Sequence, residues 1–155
     1  MTLKEAQQLI TDLKNNASSK SENAVYERLE GVVSNLMDRK FTDAQLASIE
    51  AELDALAYPS EQARRKKHYS KAYSRLISFL RKEFELVTPN YYTNTMMVFG
   101  MTFGSGIGLA IGTALKGGTG TAIGMSMGTG IGMVMGISLG AAKDKAAKNE
   151  GRVLA

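Results

Sequence analysis

From residue 89 to residue 142 the chain runs for 54 residues with one charge, Lys116. A stretch so long and so poor in charge cannot be the surface of a soluble domain; it is either buried or faces lipid. Lys116, Gly117, Gly118, Thr119 and Gly120 make a turn-rich break inside it. Thr95 to Leu115 gives 21 uncharged residues before the break, and Thr121 to Ala142 gives 22 after it. At about 1.5 Å per helical residue each run reaches about 31–33 Å, close to the hydrocarbon thickness of a bilayer. Neither run contains proline, and Tyr91 and Tyr92 stand just before the first, where an interfacial aromatic belt would lie. The expectation is two transmembrane helices, spanning about 95–115 and 121–142, joined by a tight turn.

Glycine recurs every fourth residue through both runs: Gly100, Gly104, Gly108 and Gly112, then Gly120, Gly124, Gly128, Gly132, Gly136 and Gly140. That spacing lines glycines along one helical ridge and lets another backbone come close. In water each glycine would cost such a helix about 1 kcal/mol relative to alanine, so the pattern suits membrane packing. Three other readings fit worse. A flexible linker is polar and aperiodic. A nucleotide loop needs an acidic residue about twenty positions on, or a lysine in P-loop register, and both are missing. Amyloid-forming segments contain few glycines.

Gly100 to Gly112 reads GMTFGSGIGLAIG and Gly124 to Gly136 reads GMSMGTGIGMVMG, a repeat at an offset of 24 residues. Consecutive membrane helices run in opposite directions, so the repeat implies inverted, pseudo-symmetric halves. This pattern resembles the glycine-zipper class of membrane proteins, in which GxxxG-type ridges pack helices into hairpins or oligomers. The resemblance covers residues 95 to 142 and carries no activity with it, because pores, channel subunits, toxins and plain anchors share the motif.

A four-residue step drifts about 40° on a straight helix, so the ridge from Gly120 to Gly140 turns through about 200°, more than one partner's face. Gly106 and Gly130 fall roughly opposite the ridge. Close-approach sites in two directions imply the other arm as one neighbour and another chain or else lipid as the second; lipid gains nothing from glycine, which favours another chain. Ser105 and Thr129 lie between paired glycines of the two repeats and are candidates for a pore lining or for polar contacts between helices. Thr102, Thr113, Ser126 and Ser138 are open to the same reading, and for each of the six hydroxyls, Ser105 and Thr129 included, bonding to its own preceding turn is the first expectation. No Asp, Glu, His or Arg lies inside either span, which argues against a proton relay or a carboxylate ion site there.

The first 88 residues read as a helical bundle. Thr2 with Glu5 suggests a capping box, followed by Leu3, Ala6, Ile10 and Leu13 at helical spacing. Ser21 is the expected cap of a second helix carrying Val25, Leu29, Val32, Val33 and Leu36, and Thr42 of a third carrying Leu46, Ile49, Leu53 and Leu56. A fourth is expected from Glu61 to about Leu86, with Pro89 ending it. Helices two to four are long enough to bury one another. No stretch alternates with a strand's period of two, and the fold class expected is all-α.

Charge divides along the chain. Residues 1–60 carry a net −4, residues 61–88 a net +5 and residues 143–155 a net +2. Arg64, Arg65, Lys66 and Lys67 form a basic cluster, read first as a solvated helix face and next as a contact for anionic lipid headgroups. The cluster has no recognised nucleic-acid reading motif, so nucleic acid is the weakest of the three partners. His68 beside it reads as a packed or exposed side chain rather than a ligand. With one histidine and no cysteine, metal cages and thiol chemistry have little to build on. Catalytic residues, metal ligands and cofactors are expected to be none, and the protein is not expected to be an enzyme.

The expected domains are a bundle over 1–88, a membrane hairpin over 89–142 and a basic tail over 143–155. The N-terminus lacks the charged and apolar pattern of a signal peptide. Arg81 and Lys82 precede the hairpin and Lys143, Lys145 and Lys148 follow it, which by the positive-inside rule places both termini in the cytoplasm of an inner membrane. The functional expectation is a self-associating integral membrane protein, a pore or channel subunit with a regulatory bundle. The alternative is a membrane-anchored adaptor whose bundle binds a soluble protein.

Overall fold

The computed structural model describes residues 1–17, 19–56 and 65–154. It is all-helical, with α1 Leu3–Asn15, α2 Lys20–Met37, α3 Asp43–Leu53, a 3-10 turn Asp54–Leu56, α4 Arg65–Phe84 and α5 Tyr91–Asn149. The chain forms two compact units: Met1–Thr88, to which Leu154 belongs, and Pro89–Val153.

Local chemistry sets the helix starts in the first unit. Thr2 accepts from the Glu5 amide and Glu5 returns the bond to the Thr2 amide, so the capping box is closed. Thr42 and Gln45 make the same reciprocal pair at α3. At α2 the cap is Ser19, whose hydroxyl accepts from the Glu22 amide at 3.2 Å, two residues earlier than the expected Ser21. A start at Ser19 brings Glu22 into the first turn, beside the positive end of the helix dipole. The fourth helix begins at Arg65 among the described residues, and Glu61 lies outside them. It stops at Phe84, before Leu86 and well before Pro89, because Glu85 takes a left-handed φ of 54°.

The bundle core draws on all four helices. Ala6 and Ile10 of α1, Tyr26, Leu29, Val33 and Leu36 of α2, Ile49 and Leu53 of α3, and Tyr69, Leu76 and Leu80 of α4 are buried. Helix α1 packs mainly on α2, so the core is larger than three helices would make it. Truncating a residue such as Leu36 to alanine would cost about 2–5 kcal/mol. Tyr26 and Tyr69 meet edge to face at 5.3 Å between ring centres. Glu22 is also buried, and the Tyr26 hydroxyl donates to its carboxylate at 2.7 Å. Leu154 is buried in the same core, and its amide donates to the Val87 carbonyl at 2.8 Å.

In the second unit, α5 contains two stretches long and apolar enough to cross a membrane, Tyr91–Ala114 and Gly120–Asn149. The helix does not stop at Ala142; it continues to Asn149, through most of the segment read as a basic tail.

Candidate functional site

A straight helix of 59 residues would hold Gly100 and Gly132 about 48 Å apart. They are in backbone contact, as are Gly104 with Gly128, Gly108 with Gly124, and Gly112 with Gly120. The chain therefore reverses between Ala114 and Gly120 into two antiparallel arms. Gly136 lies against Met96, and Gly140 against Tyr92 and Thr93. At every one of these glycines a Cβ would collide with main-chain atoms of the opposite arm. Helices packed through side chains keep their axes about 8–10 Å apart, and this seam is tighter.

All ten four-spaced glycines thus lie in one seam inside one chain. The expected drift of about 200° does not carry the ridge off its partner. A row of period four stays on one partner when the arms wind about each other in the right-handed sense, which periods above 3.6 favour. Gly106 and Gly130 behave differently: nothing lies within 4 Å of a Cβ placed on either.

The seam obeys the internal repeat. Shifting by 24 residues turns the Gly100–Gly132 contact into the Gly124–Gly108 contact, and returns Gly104–Gly128 to itself. A pseudo-two-fold axis therefore passes between Gly104 and Gly128. The image of the Gly112–Gly120 contact is Gly136–Met96, where methionine stands in the glycine's place.

Ser105 and Thr129, one residue beyond that central pair, also meet near the axis. Their hydroxyl oxygens are 2.6 Å apart. Each hydroxyl is also within bonding distance of the carbonyl four residues back, Met101 at 2.6 Å and Met125 at 2.7 Å. Each has one proton, so one donates across the seam while the other donates to its own helix. Thr102, Ser126 and Ser138 donate to the carbonyls of Val98, Ala122 and Val134, and Thr113 to that of Ala110.

The two faces of the hairpin differ. One residue before nine of the ten ridge glycines, all but Gly120, stand bulky side chains, including Phe103 and Ile107 on one arm and Met127 and Ile131 on the other. They wall a groove of about 650 Å³ whose floor is the glycine seam. The face carrying Ser105 and Thr129 lies on the other side.

At the open end of the hairpin, Asn90 has a left-handed φ of 58° and makes no side-chain cap for α5. Asp144 of the second arm replaces it. Its two carboxylate oxygens accept from the Tyr92 amide at 3.0 Å and the Thr93 amide at 2.8 Å. Lys143 beside it places its ammonium 5.9 Å from the centre of the Tyr92 ring. Asp144 escaped the sequence reading because its role depends on a partner some fifty residues away; the signal was an acid set between Lys143 and Lys145 just past the apolar run.

Of the basic cluster, Arg65, Lys66 and Lys67 lie at the start of the described part of α4, and Arg64 lies outside the described residues. Lys66 and Lys67 line a surface hollow of about 500 Å³ together with Ser70, Lys71 and Ser74. His68 turns its ring edge to face against Tyr69, 5.3 Å between centres, so it is partly packed. Among the described residues no three His, Cys, Asp or Glu side chains gather as metal ligands would.

No family model, no curated protein and no solved structure matches this chain.

Proposed function

We propose that this is an integral membrane protein whose hairpin spans the bilayer and self-associates, holding its helical bundle at the cytoplasmic surface. The observation that carries the reading is the division of labour among the glycines. The four-spaced ridge is used up within one chain, whereas Gly106 and Gly130 stay open on the outer edges. Neighbouring residues on those edges are also small: Thr102 and Ala110 on the first arm, Ser126 on the second. Lipid gains nothing from such a surface, and another helix gains close approach. A membrane also accounts for exposed Phe103, Met127 and Ile131, each at least 60% accessible.

Within this reading the hairpin is a prefolded unit and the oligomer is built from its edges. Self-association then gathers several bundles at one membrane site, as a scaffold for a soluble partner does. The pore reading rests on a different observation: Thr102 and Ser126 set hydroxyls beside the open glycines, on the surface a ring of copies would bring together. Any such pore would be unselective, because neither uncharged run, 95–115 or 121–142, offers an ionisable lining group. The test is the protein's mass in mild detergent together with ion flux from liposomes. A defined oligomer without flux supports the scaffold. Flux that changes with Thr102→Asp or Ser126→Asp supports the pore. A strict monomer at every detergent concentration contradicts both.

A further inference from the structure

We propose that the Lys66, Lys67 and Lys71 face of α4 is a binding site for the phosphate of an anionic lipid headgroup. The proposal rests on the membrane reading and adds a ligand, a face and an orientation to it.

The three lysines line one hollow with Ser70 and Ser74, so three basic side chains and two hydroxyl-bearing residues border the same space. None of the three lysines has a carboxylate partner among the described residues. The contrast lies on the same helix: Arg75 makes two bonds to Glu52, at 2.8 and 3.1 Å. Lys67 also faces Lys71 four residues on, a like-charge pair on one helix face. A phosphate in the hollow relieves that repulsion.

A headgroup is favoured over free phosphate by connectivity and by charge. A spanning hairpin on the same chain keeps headgroups at high effective concentration around the bundle. Residues 1–60 carry a net −4, so an anionic surface repels the rest of the bundle while it attracts α4. The two forces together select the α4 face.

The test uses the full chain, which contains no cysteine. Ser78→Cys, one turn beyond the hollow, carries an environment-sensitive fluorophore, and the protein is reconstituted into lipid discs. Discs of phosphatidylcholine alone are compared with phosphatidylcholine–phosphatidylglycerol mixtures, using a headgroup-attached quencher. Quenching is expected to rise with phosphatidylglycerol and to fall with salt. Each Lys→Gln change at 66, 67 or 71 should weaken the binding constant about fivefold. The charge-matched variant Lys4→Gln/Lys20→Gln/Lys40→Gln, whose residues all lie off α4, should change it far less. Equal quenching in both disc types overturns the proposal, as does an equal loss in the charge-matched variant. If pyrophosphate or a short oligonucleotide in phosphatidylcholine discs shifts the fluorophore while phosphatidylglycerol does not, the site belongs to a soluble phosphate or nucleic acid and the lipid assignment fails. A chain that does not incorporate into discs of either composition fails the membrane reading instead.

Discussion

Ser105 and Thr129 occupy the same position in the two repeats, 24 residues apart, and share a hydrogen bond of 2.6 Å across the hairpin. Equivalent residues of an inverted repeat meet only near its two-fold axis. The bond therefore marks the centre of the seam. It also assigns these hydroxyls to joining the arms, because each has its donor capacity occupied by the other or by its own backbone.

Glycine substitutions should separate the seam from the outer edges. Gly128→Ala puts a methyl group onto the backbone of Gly104 and Gly108, so the arms must part. Unfolding in mixed micelles should show a loss of about 1–3 kcal/mol, as overpacking does elsewhere. Gly106→Leu and Gly130→Leu meet open space and should leave that stability nearly unchanged while lowering the mass in detergent. If all three variants behave alike, the two surfaces have no separate roles.

Asp144→Ala removes the acceptors for the Tyr92 and Thr93 amides. The loss should be about 0.5–2 kcal/mol, the range for helix caps. Hydrogen exchange at those two amides should accelerate, with the glycine seam still protected. Unchanged exchange at both would contradict the cap.

The bundle should be sensitive to alkali. Burial raises the Tyr26 phenol above its ordinary value, and its hydrogen bond to Glu22 adds to the shift. Burial also raises Tyr69 and Tyr73. A raised phenol pKa means that the fold favours the neutral form. The resulting stability is fully present below about pH 10, the unfolded value, and is lost as pH climbs through the higher folded values. Ultraviolet titration should show these tyrosines ionising late and together with loss of helix. Three ordinary titrations with intact circular dichroism would refute this.

Orientation is open to labelling. Both hairpin flanks are basic, so a cysteine at Ser19 should be protected from an impermeant reagent in intact cells while one at Lys116 reacts. The opposite pattern would place the bundle outside.

Much of this fold can be read from local pattern. The apolar runs, the break after Leu115 and the Thr2 and Thr42 caps each depend on neighbours within a few residues. Ser19 was also legible, since Ser19 and Glu22 have the spacing of a capping box, but Ser21 competes as a second cap-forming serine at the same break. What could not be read is long-range. The spacing of the ridge demands a close neighbour without saying whose, and only the pairing of Gly100 with Gly132 shows that the ridge closes within the chain. The Asp144 cap and the burial of Leu154 with the bundle likewise join residues far apart in sequence.

The central claim is that the glycine ridge closes one chain on itself in the membrane. Because the chain has no cysteine, Ser105→Cys/Thr129→Cys tests it directly. Oxidised in native membranes and run without reductant, the double variant should give an intramolecular disulfide with the mobility of a compact monomer. Each single variant should stay reduced under the same oxidation. A product linked mainly between chains, from the double or from either single variant, would show that the ridge pairs different copies and would contradict the account.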